Sequence, residues 1–129
     1  MNKRIVIIGL LLIVLAIILG AFGAHALKEV LASDKLASFE TGVRYQMYIG
    51  LLLLVLGLNF EKFNSSIKLP LILIIIGIFI FSGSIYLLSI QEYLEVNFNF
   101  LGPITPIGGS SMIVGCFWII KNLLTPSQS

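Results

Sequence analysis

The sequence predicts an all-α integral membrane protein with four transmembrane helices and a short interfacial helical segment after the first. Three observations lead there. Of 129 residues, 58% are hydrophobic and only 11% are charged, against roughly 45–50% and about 25% in a soluble domain. The apolar residues gather in four blocks, "IVIIGLLLIVLAIILGAF", "YIGLLLLVLGLNF", "LPLILIIIGIFIFSGSIYLLSI" and "ITPIGGSSMIVGCFWII". Each is near the roughly 20 residues needed to cross a bilayer, and polar segments separate them. With no repeat or low-complexity tract, residues 1–129 read as one domain.

The first span is expected near residues 4–24. "NKR" before the apolar run and "AHA" at 24–26 imitate a cleavable signal peptide. The apolar stretch from Ile5 to Phe22 exceeds the usual 7–15-residue core of such a peptide, so retention as a helix is expected. Residues 25–38 place Leu27, Val30 and Leu31 on one helical face and leave Lys28, Glu29 and Lys35 for water. That pattern suits a short helix in the interface, broken near Ser33. The second span is expected near 41–60, with Ser38 or Thr41 as its cap, because a hydroxyl satisfies an unpaired N–H. "EKFNSSIK" reads as a polar turn into a third span near 69–90, with Pro70 in its first turn. The fourth is expected near 103–121, where Pro106 suits a first turn or a local unwinding. An unwound start would leave carbonyls for which Arg44 or His25 could supply donors.

Charge excludes one class of partner and orients the chain. A net charge of +2 without a Lys/Arg cluster gives no footprint for nucleic acid. Membrane lipid is the expected partner. With four spans, one side carries Lys3, Arg4, Lys62, Lys68 and Lys121, and the other Lys28, Lys35 and Arg44. Five against three favours cytoplasmic termini. Cys116 is the only cysteine and lies in the fourth block, so no internal disulfide, metal cluster or cofactor is expected.

The polar residues of the spans gather toward the side opposite the termini. His25 follows the first span; Thr41, Arg44, Tyr45 and Gln46 open the second; Ser82, Ser84 and Tyr86 belong to the third; Thr105 opens the fourth. Unpaired polar groups in hydrocarbon are costly, so they should face one another or water. Tyr45 and Gln46 are expected to turn inward and join Ser82, Ser84, Tyr86, Thr105 or His25, with Arg44 reaching the headgroups. The cluster serves either as interhelical hydrogen bonding with interface anchoring, or as a solute-binding pocket or proton path. Gly9, Ala16, Gly20 and Gly23 trace a stripe on the first helix, and Ser111 and Gly115 make a small-xxx-small pair on the fourth. Gly20, Gly23, Gly83, Gly108, Gly109 and Gly115 are read as packing residues, within the chain or in a homo-oligomer.

Three functional classes follow: a scaffold, accessory or lipid-binding protein, an oligomeric conduit for a small solute, and an intramembrane enzyme. The enzyme is set aside because no acid lies inside an apolar block and no nucleophile has a visible base. A conduit needs a polar path on both sides, whereas polarity gathers on one. Binding or scaffolding leads.

Four stretches, "LGAFGAHALK", "FETGVRYQMY", "FSGSIYLLSI" and "LGPITPIGG", resemble uncharacterised protein family 382, also known as domain of unknown function 423. The resemblance spans nearly the whole chain. It implies a small bacterial multi-pass membrane protein of the plasma membrane and supplies no activity, substrate or catalytic residue. His25, Thr41, Tyr45, Gln46, Ser82, Gly83, Ser84, Tyr86, Thr105, Pro106, Gly108 and Gly109 match its signature positions. Relatives often carry a histidine where this chain has Ile49, so a histidine pair is incomplete here.

Overall fold

A computed structural model describes residues 1–63 and 67–125. Part of the predicted polar turn, residues 64–66, lies outside them. The described chain is helical: α1 Lys3–Ala24, the short α2 Ala26–Val30, α3 Ser33–Leu58, α4 Lys68–Leu94 and α5 Ile104–Leu124. Four helices are long and apolar enough to cross a membrane.

Local chemistry explains the ends. Asn2 accepts the Ile5 N–H at 3.3 Å and caps α1. Pro70 and Pro106 both fall in first turns, where a missing N–H removes no helical bond. There is accordingly no unwinding at Pro106. α4 ends at Glu95, which takes a left-handed conformation at φ 56° and ψ 33°.

The segment after α1 departs from expectation in a way that shifts everything beyond it. The break falls at Leu31 and Ala32, and residues 33–40 are the first turns of the second long helix rather than a separate interfacial piece. Tertiary burial accounts for this: Phe39 is packed against Gly23 of α1 and against the Tyr86 ring at 5.0 Å. Ser38 and Thr41 are therefore not caps. Each donates back to a carbonyl four residues earlier, Asp34 and Ala37, inside the helix.

The long helices pack as an antiparallel series, each against the one before it in sequence: α1 on α3, α3 on α4, α4 on α5. Glycines set the two tightest crossings. A methyl at Gly9 would lie 2.8 Å from the Gly50 carbonyl oxygen, and one at Gly108 would lie 2.8 Å from that of Gly77. Membrane helices lack a hydrophobic drive to associate, so this close backbone approach supplies dispersion contact in its place. Leu53, Leu71, Ile74 and Ile78 fill the core toward the end that bears the termini.

Of the predicted packing glycines, Gly108 and Gly115 are required, since a methyl at either would meet another helix at 2.6 Å. A methyl at Gly23 would meet the Phe39 ring at 3.4 Å. Gly20 and Gly109 leave ordinary van der Waals space, at 3.5 and 3.6 Å, and Gly83 faces nothing within 4 Å. Gly83 is thus no packing residue.

Candidate functional site

Gln46 is the polar centre of the molecule. It is 5% exposed, and its amide joins three helices: Nε2 donates to the Leu12 carbonyl of α1 at 2.9 Å, and Oε1 accepts from the Tyr86 hydroxyl of α4 at 2.6 Å. Gly42, one turn earlier, makes room for the Tyr86 ring, which a methyl there would meet at 2.8 Å. The Gly42 carbonyl in turn accepts from Ser82 at 2.8 Å. Because α3 begins at Ser33, Gln46 lies about 20 Å along its helix at 1.5 Å per residue. The bridge therefore sits near mid-depth, not at the outer end of a span.

The other predicted residues separate. Ser84 meets Thr105 at 2.6 Å, a second bridge that ties α4 to α5. Tyr45 is 44% exposed and turns away from Gln46 to pack on Phe81 and Tyr48, at 5.2 and 5.8 Å. The reason is helical geometry, since successive residues differ by about 100° and only one of the pair can face the bundle. Arg44 is exposed and donates to Thr41 at 3.2 Å. His25 is exposed at the junction of α1 and α2 and joins neither bridge. No buried side-chain polar atom among the described residues lacks a partner.

A furrow on the neighbouring face of α3, the one that carries Tyr45 and Ile49, was not foreseen. Two cavities lie along successive stretches of α5, each also lined by residues of α3 and α4. The apolar one, about 470 Å³, is walled by Tyr45, Ile49, Phe81, Met112, Cys116 and Phe117. Nearer the α4–α5 loop follows a cavity of about 450 Å³ lined by Lys35, Ser38, Ser89, Gln91, Asn99 and Thr105. Gly109 faces the apolar stretch. The loop end is held by Gln91, whose Oε1 accepts the Phe98 N–H at 2.8 Å and whose Nε2 donates to Asn99 at 2.9 Å. Lys35 is half-buried there and has no ion-pair partner among the described residues.

The model of a family described as "Protein of unknown function (DUF423)" matches residues 19–109. Similar proteins include a UPF0382 membrane protein of Staphylococcus epidermidis, 37% identical with 95% of each chain covered. The UPF0382 membrane protein YwdK of Bacillus subtilis is 37% identical over 92% of this chain and 94% of its own. A third, from Haemophilus influenzae, is 37% identical over 78% of this chain and 76% of its own. The chain belongs to this family. No solved structure matches it.

The stretch matched to DUF423 contains Gln46, Tyr86, Ser84 and Thr105, and with them the polar cavity residues from Lys35 to Thr105. Ile49, the position where a histidine pair would be completed, stands on the furrow's apolar wall instead. Among the described residues no three His, Cys, Asp or Glu side chains gather to hold a metal ion. The furrow escaped sequence reasoning although one signal was present: Thr105, Gly109, Met112, Cys116 and Ile120 recur every three or four residues along α5.

Proposed function

We propose that this member of DUF423 is a non-enzymatic membrane protein that binds one lipid in the furrow bounded by α3, α4 and α5. The observation that supports it is the furrow's polarity profile. An acyl chain matches an apolar trough that runs from Gly109 to Ile120, about 16 Å of helix. A headgroup matches the polar cavity beyond Phe81, where Lys35, without an ion-pair partner among the described residues, supplies a positive charge. Apolar pockets with a few convergent polar groups at one end are the usual form of small-molecule sites. The oligomeric conduit draws no comparable support: within one chain Leu53, Leu71, Ile74 and Ile78, each at most 1% exposed, leave no polar path through the half nearer the termini.

Filling the trough tests this reading. Gly109→Leu has room for its Cβ and sends its side chain into the furrow. Native mass spectrometry of protein released from lipid nanodiscs is expected to show one retained lipid on the unaltered chain and none on the variant. Equal retention by both, or a dimer that Gly109→Leu disrupts, overturns the proposal.

We further propose that both termini face the cytoplasm, which places the polar cavity in the outer leaflet. The support is the Lys/Arg count. A phosphatase fused after Ser129 should be inactive and a fluorescent protein there bright; the opposite pattern reverses the orientation.

A further inference from the structure

We infer that the furrow selects a zwitterionic headgroup bearing a primary amine, with the phosphate on Lys35 and the ammonium on Glu92 and Glu95. This deepens, and rests on, the lipid reading above. A cavity of about 470 Å³ adjoins the polar end of the furrow and shares Lys35, Gln91 and Asn99 with it; Glu92 and Glu95 complete its charged lining. One cation and two carboxylates line the same cavity. An anionic headgroup without an amine would gain Lys35 but meet both acids, and a purely cationic amphiphile would meet Lys35. A zwitterion satisfies both signs.

The choice of a primary amine over a quaternary one follows from the lining. Quaternary ammonium groups have no N–H and are held on aromatic faces, and no aromatic side chain among the described residues lines this cavity. A primary ammonium has three donors, matched by two carboxylates and the neighbouring amide oxygens. The loop is fixed in advance by the Gln91 bonds to Phe98 and Asn99, which limits the ordering cost of binding.

The acids themselves are placed where helix stability disfavours them. Glu92 lies in the last turn of α4 and Glu95 caps it, whereas the negative end of a helix dipole favours cations. Glu95 also holds the left-handed conformation, φ 56°, that glycine or asparagine adopts at helix ends with less strain. A carboxylate in that position is explained by an ammonium to receive.

The experiment is competition in nanodiscs of equimolar phosphatidylethanolamine, phosphatidylcholine and phosphatidylglycerol, read by native mass spectrometry of the released protein. Retention of phosphatidylethanolamine is expected to exceed that of each competitor by about fivefold, the scale of two partly exposed ion pairs. Glu92→Gln with Glu95→Gln removes the preference and keeps one lipid bound; Lys35→Gln lowers retention of all three. Glu95→Gly separates function from folding, because it relieves the backbone and so does not lower the melting temperature while it weakens the preference. Retention without preference, or preference for phosphatidylglycerol or phosphatidylcholine, overturns this inference and leaves the furrow reading standing. Absence of any retained lipid overturns the furrow reading itself.

Discussion

Replacing Gly108 by alanine weakens the fold by about 3 kcal/mol, the upper part of the range for overpacking a well-filled interior. The added methyl would lie 2.6 Å from the Phe81 backbone nitrogen and 2.8 Å from the Gly77 carbonyl oxygen. Neither is the end of a flexible side chain, so the helices must move apart. Gly77→Ala strains the same crossing from the other side, at 2.6 Å from Met112 and 2.7 Å from the Gly108 carbonyl oxygen. Gly83→Ala, in open space, leaves stability unchanged or raises it by less than about 1 kcal/mol through helix propensity. Thermal unfolding in a mild detergent measures all three. Equal stability of Gly108→Ala and Gly83→Ala would show that the crossing does not hold α4 and α5 together.

The second large effect belongs to the bridge. Gln46→Leu removes two interhelical hydrogen bonds, each worth about 0.6 kcal/mol on average in a membrane protein. It also leaves the Tyr86 hydroxyl without its acceptor, so the expected loss is about 1–2 kcal/mol. Tyr86→Phe should cost less. Together the two changes should fall short of their sum by about 0.6 to 1.7 kcal/mol, because the second removes a partner already lost. Lipid retention is the control. Gln46 faces the groove between α1 and α4 rather than the furrow, so Gln46→Leu should unfold more readily yet keep its lipid. Additive costs, or lipid loss without destabilisation, would contradict this division of roles.

The fold class was legible because it depends on composition and run length, which four apolar blocks state directly. Gln46 was legible as a bridging residue because a side-chain amide in hydrocarbon needs partners whatever the details. Its depth was not, because Ser33, Asp34, Lys35, Ser38 and Glu40 look interfacial one at a time, and only the burial of Phe39 joins that stretch to α3. Tyr45 was misplaced by grouping it with its neighbour instead of by helical angle. Gly50, Gly57 and Gly77 lie in runs where nearly every residue is apolar, so periodicity could not mark which face packs. The furrow was least legible of all. It depends on where α5 sits against α3, and those helices are not neighbours in sequence.

The packing order has a consequence for how the protein is made. Every major interface joins consecutive long helices, so a nascent chain leaving the ribosome meets each docking partner already in the bilayer. No helix has to wait for a distant segment, and the slow search that long-range pairing imposes is avoided. The surfaces that need the final helix are the α4–α5 interface and the furrow beside it. The α1–α3 and α3–α4 interfaces can thus assemble while synthesis continues, and the lipid site is completed only when α5 arrives.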